Sequence, residues 1–273
     1  MFTLNATPPI GIVLGLVTLQ ILYLLVTTRL RDQVPGSQPV ANRQMWLFSE
    51  GIFVLFLALA SPLQDLSDNY LFTAHMVQHL LLVLVALPLL LAGTPGWLLR
   101  GVLERTRLLP VARALRHPVA ALGIFNVIFL FAHAPRLYEP ALGNELLHAL
   151  EHGLFLLSGL LFWIPILSPA PDVLPRYSGL GQLVYIFAQT VPSSLLGAFL
   201  GLAATPLYPT YQMAPRIIPE LSALQDQQLG GLLMWVGGST YYLVALGIVF
   251  YFWARDESAA DRRDAVRARP HVP

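Results

Sequence analysis

Residues 71–93 read LFTAHMVQHLLLVLVALPLLLAG, an apolar run whose only ionisable side chains are the imidazoles of His75 and His79. A membrane-crossing helix needs about 20 predominantly apolar residues, so this stretch is long enough to span a bilayer. Working outward, six further segments have similar character: Pro9–Thr27, Trp46–Leu63, Pro118–His133, Leu146–Leu167, Gly179–Ala203 and Gln228–Trp253. The chain has 273 residues, of which 56% are hydrophobic and 11% charged. A soluble domain carries about 25% charged residues, so an all-α, polytopic membrane protein with a seven-helix transmembrane bundle is expected. Trp46, Trp163 and Trp253 lie near span ends, where interfacial aromatics belong. The first segment lacks a basic leader and a small-residue cleavage site and reads as a retained helix.

Arginine placement orients the bundle. All the basic residues are arginine, and fourteen of them fall in alternate segments: the loops 28–45, 94–117 and 168–178, and the tail after Trp253. The opposite segments hold only Arg136 and Arg216. The positive-inside rule then predicts the N-terminus outside and the C-terminus in the cytoplasm. Residues 1–255 are expected to form one seven-span domain, and residues 256–273 a charged, solvated cytoplasmic tail. Pro88 and Pro192 are expected to kink their helices. The pairs Gly197/Gly201, Gly230–Gly231 and Gly237–Gly238 are expected to permit close helix approach.

This orientation puts five histidines at one depth. His75/His79 and His148/His152 are i,i+4 pairs, each on one helix face. Their spans begin at the outer side, which places them about 6, 12, 3 and 9 Å below it at 1.5 Å per residue. His133 closes a span that ends at the same side. One such pair arises by chance and serves helix packing; two pairs with His133 in the outer third of the bilayer point to a metal or cofactor. Ionisable groups at that depth are costly and face a bundle interior or cavity, and histidine is the commonest metal ligand. Met76 and Met234 add thioethers, a set that suits Cu(I), whereas Glu151 beside the imidazoles also suits zinc. Asp226 and Gln227 open the last span at the same rim; Asp226 is expected to cap that helix and, further, to hold a liganding imidazole. Glu50 is expected to pair with Arg43 or to bridge helices. His117 and His271 read as solvated or interfacial residues on the other side.

Several classes are excluded. There is no cysteine, so disulfides, thiolate metal sites and covalent c-type haem fall away. There is no lysine to form a Schiff base. A net charge of +1 provides no field for nucleic acid.

Four strings carry a resemblance: His75-Met-Val-Gln-His79 followed by three leucines, Ser61-Pro-Leu63, Trp163-Ile-Pro-Ile-Leu167, and Asp226-Gln-Gln-Leu-Gly-Gly-Leu-Leu-Met-Trp235. Together and in this order they resemble the polytopic CtaG family of cytochrome c oxidase assembly factors, over about Trp46 to Trp253. The resemblance implies a multi-pass protein of the bacterial plasma membrane that helps mature a haem–copper oxidase by placing copper, without catalysis of its own. Its partners would be an oxidase subunit, an extracytoplasmic copper chaperone and membrane lipid. The resemblance supplies no ligand set; His75, Met76, His79, His133, His148 and His152 rest on the depth argument. Two alternatives stay open. A b-type haem would pair His79 with His152, or His75 with His148, against crowding by Leu80–Leu82 and Leu154–Leu157. A metal-ion permease would need polar groups through the whole thickness, where the inner half offers mainly Glu50.

Overall fold

The protein is described by a computed structural model over residues 8–267, and every regular element among these residues is helical. The long helices are α1 (Ile10–Thr28), α2 (Asn42–Leu59), α4 (Phe72–Gly93), α7 (Pro118–Ala132), α9 (Glu145–Leu167), α10 (Gly179–Gly201) and α12, which starts at Ala223 and runs to Arg267. Short helices join them: α3 (Pro62–Asn69), α5 (Gly96–Arg105), α6 (Leu109–Leu115), α8 (Pro135–Leu142) and α11 (Pro209–Met213). Five helices are long and apolar enough to cross a bilayer, and seven spans result if two bent pairs, α2 with α3 and α6 with α7, each count as one.

Both bends sit at proline. Ser61 caps α3 by accepting the Leu63 N–H at 3.1 Å, Pro62 takes the first helical position, and the axes turn by 43°. His117 precedes Pro118 in extended backbone, and the turn there is 83°. Proline disfavours helical backbone in the residue before it, so α6 cannot run into α7. Elsewhere the starts are capped: Asn144 accepts from Leu146 and Leu147, and Ser222 forms a capping box with Gln225.

α4 and α9 are the most buried spans, about half enclosed, whereas α1 lies at the edge with only Tyr23 and Thr27 buried. α4 and α9 carry the two histidine pairs. α12 packs tightly on both neighbours. A Cβ on Gly231 would lie 2.3 Å from the Gly201 backbone nitrogen, and one on Gly230 would lie 2.6 Å from the Phe72 ring. Close approach there needs glycine, as its spacing implied. Gly237 and Gly238 differ: an added Cβ would meet only side chains, none nearer than 3.3 Å.

Other expectations are corrected. Trp163 is buried, not interfacial, and its indole N–H donates to the Val83 carbonyl at 2.7 Å. Val83 lies in a π-helical turn, Leu81–Ala86, directly after His79 and before Pro88. A π-turn disturbs the regular i→i−4 ladder, and Trp163 takes up a carbonyl within it. A second π-turn, Leu233–Gly238, interrupts α12 at Met234. Glu50 is exposed and makes no pair with Arg43 among the described residues. Helix α12 runs past residue 255 to Arg267, so the described part of the charged tail is helical. His271 lies outside the described residues.

Candidate metal centre

The five histidines converge. His75 and His79 come from α4, His148 and His152 from α9, and His133 ends α7. Ring centroids lie 4.2 Å apart for His75–His79 and 4.4 Å for His148–His152. Across helices they lie 5.5 Å apart for His79–His133, 5.8 Å for His79–His152 and 6.2 Å for His75–His152. Four of the rings are buried, and His148 is the outermost.

Backbone contacts set two of the tautomers. His133 Nδ1 lies 2.7 Å from the Phe129 carbonyl, and His152 Nδ1 lies 3.1 Å from the His148 carbonyl. A carbonyl only accepts, so each Nδ1 carries the proton and each Nε2 presents a bare lone pair. Both Nε2 atoms are buried without a partner. His75 and His79 share a single hydrogen bond, Nε2 to Nε2 at 2.9 Å, which leaves both Nδ1 atoms without one. Both carboxylate oxygens of Glu151 are likewise buried and unpaired. One ligand atom each from His75, His79 and Glu151 lies within 4.8 Å of the other two. Buried polar groups are nearly always hydrogen-bonded, so this concentration of unpaired donors and acceptors makes the cluster the candidate site.

The neighbouring space is small and soft. A cavity of about 30 Å³ is bounded by His79, His133, Met76 and Met234, with Phe125, Phe129 and Phe155 around it. It admits one water or ion; a drug-sized ligand takes about 300 Å³ or more. The imidazoles fit a metal ion by the chemistry of their lone pairs, and the thioethers narrow the fit toward a soft ion.

Asp226 acts on a different helix from the one expected. It accepts the N–H groups of Phe72 at 2.7 Å and Thr73 at 3.1 Å, and its own carbonyl accepts the Thr73 hydroxyl at 2.8 Å. It therefore caps α4, the helix that carries His75 and His79, and among the described residues no imidazole is hydrogen-bonded to it. Its own helix is capped by Ser222. Gln227 holds a loop, accepting the Leu207 N–H at 2.6 Å. Asp226→Ala is expected to cost about 2 kcal/mol, because two charge-assisted amide contacts are lost at a buried helix start. A lower thermal midpoint in detergent is the check; an unchanged midpoint would show that the cap contributes nothing to stability.

Three tyrosines close the site at the end of the bundle where α4 and α9 begin, and the motif reading missed them. Tyr138 on α8 packs edge-on to His75 with centroids 5.0 Å apart. Its hydroxyl meets that of Tyr211 at 2.5 Å, and Tyr211 donates to the Ser67 carbonyl at 2.5 Å. Tyr208 donates to the His133 carbonyl at 2.8 Å and stacks on Phe72. Burial pushes the Tyr138 and Tyr211 phenols well above their usual range, so they stay neutral. Asp68 was also missed; it stands 3.7 Å from His148 Nε2. An outer-loop tyrosine reads as an interfacial aromatic, and no spacing signal distinguishes these.

Comparison with known proteins gives one match. A family model described as cytochrome c oxidase caa3 assembly factor (Caa3_CtaG) covers residues 21–256. No curated protein and no solved structure matches the chain.

Proposed function

The chain belongs to the cytochrome c oxidase caa3 assembly factor family, and from that premise we propose that it binds copper in its histidine cluster and helps deliver it to the oxidase. One observation carries this reading: five imidazoles and a carboxylate converge with their free nitrogen and oxygen atoms buried and unpaired. Water satisfies exposed groups of this kind; here a cation is what compensates for their burial. The Met76 and Met234 thioethers beside His79 and His133 favour Cu(I) over zinc. Copper is cargo in this role, not a resident catalyst, and the protein is not an enzyme.

His75, His79, His133, His148 and His152 would hold the ion, with Met76, Met234 and Glu151 beside them. An ion bound through both Nε2 atoms would require the proton now between His75 and His79 to move to the donor ring's own Nδ1, which has no partner. Asp226 keeps the start of α4 in place while ligands exchange. Seven spans with the N-terminus outside, as the arginine split implies, set the cluster in the outer third of a bacterial plasma membrane. Copper would then come from an extracytoplasmic chaperone and pass to an oxidase subunit in the same bilayer.

The haem alternative is disfavoured by space, since Phe125, Phe129 and Phe155 line a void of about 30 Å³. The test is metal analysis and an oxidised-minus-reduced spectrum of the purified protein. Bound copper with a flat haem region is expected, and haem bands without copper would overturn the proposal. A reporter fused after Arg269 should work only if it is active in the cytoplasm; activity on the other side would reverse the orientation.

A further inference from the structure

We infer that Asp68 and His148 form an entry position through which copper reaches the buried cluster from the outer face. The inference rests on the copper-binding reading above and adds a residue and a direction to it.

The axial route is shut. Tyr138, Tyr208 and Tyr211 are buried and hydrogen-bonded to each other or to main-chain carbonyls above the rings. The flank between α7 and α9 is a groove lined mostly by apolar side chains such as Ile128, Phe131, Leu150 and Leu154; its charged members are Arg136, which repels a cation, and Glu151, whose two carboxylate oxygens are buried away from the groove surface. The edge toward α3 is different. Asp68 Oδ1 stands 3.7 Å from His148 Nε2, and these side chains keep 23% and 12% of their exposure. His148 is in turn 4.4 Å from His152 and 6.3 Å from His75, centroid to centroid. The His152 Nε2 and His75 Nδ1 atoms, both deeply buried, have no partner. Carboxylate, half-buried imidazole and buried imidazoles therefore form a graded series from water to core.

Asp68 is held in place by neutral donors. Gln64 Nε2 donates to its Oδ2 at 2.5 Å, and the Ser67 hydroxyl donates to its Oδ1 at 3.1 Å. Gln64 is held by Gln78 of α4, whose Nε2 donates to it at 2.6 Å. Among the described residues, the ion pairs of Asp68 include no arginine. Apart from the buried cap Asp226, the described acidic side chains of the segments at this rim, 64–71, 133–144 and 203–227, are Asp65, Asp68, Glu139 and Glu220, against Arg136 and Arg216. An acidic surface concentrates cations and speeds their arrival. Carboxylate with imidazole is a harder donor set than imidazole with thioether, so a soft ion gains by moving inward.

Loading kinetics test this. Full-length protein in detergent receives Cu(I) anaerobically from a bicinchoninate complex, and the loss of chelator colour gives the rate and the final copper content. Asp68→Asn keeps the size of the side chain and removes its charge. It is expected to load about 10-fold more slowly to the same final content, with added salt reducing the wild-type rate toward that of the variant. Asp68→Glu should retain most of the rate. His148→Gln, the second probe, should also load slowly. A wild-type rate in Asp68→Asn overturns the entry role. So does a lowered final content, which would make Asp68 part of the store itself. If the wild-type protein takes up no copper, the copper-binding reading fails and this one falls with it; a loaded wild type with an indifferent Asp68 removes the entry position alone.

Discussion

His79→Ala and His152→Ala are each expected to strip most of the copper from the purified protein, and the His75/His79 double alanine variant should hold almost none. His117→Ala should leave the content unchanged. The effect is large because His79 and His152 lie near the middle of the constellation. His79 is within 6 Å, centroid to centroid, of His75, His133 and His152. His152 presents a lone pair whose tautomer is set by the His148 carbonyl. Loss of a group that merely orients a ligand weakens metal binding about 10- to 100-fold, and loss of a ligand should exceed that. His117 is exposed at the start of α7, the opposite end of that helix from His133, and so serves as the internal control. The measurement is copper per polypeptide after dialysis against a competing chelator. Equal content in all variants would reduce the histidines to packing residues.

Much of this centre was legible in the sequence because helices translate spacing into geometry. An i,i+4 repeat puts two rings on one face, and a charge-derived orientation converts residue number into depth. His133 was assignable for the same reason, since it ends an apolar run. Tertiary partners were not legible. Asp226 has the side chain of a cap, but the helix it caps begins at Phe72, and no local pattern joins positions so far apart. Trp163 falls near the end of an apolar run, where tryptophan usually marks the interface; it serves instead a carbonyl within a π-turn, and that turn carries no sequence signature. Glu50 and Arg43 share a helix face but stand two turns apart, about 10 Å along the axis, too far to pair. The bend at Ser61–Pro62 was written in the sequence as a cap followed by proline, yet hydropathy alone carried the span through it to Leu63.

A strain lacking this protein should still make its oxidase polypeptides and insert haem, but copper per oxidase should fall several-fold, and activity with it. Without cysteine the chain has no thiol to reduce a partner. The cavity among its histidines, about 30 Å³, leaves no room for a haem in transit. What remains is a buried set of imidazoles and thioethers, which under the proposal would bind and release a soft ion by ligand exchange. Delivery of copper is the task such a set performs, and the family's assembly role supplies the acceptor. Extra copper in the medium should restore part of the loss, because mass action at high metal replaces a carrier. Copper and haem are measured together on oxidase isolated from wild-type and deletion membranes. Normal copper with missing haem would transfer the role to haem. Normal values of both, with activity intact, would overturn the delivery role for this chain. Complementation separates these outcomes from secondary effects: the wild-type gene should restore copper per oxidase, and the His75/His79 double alanine variant, inserted at the same level, should not.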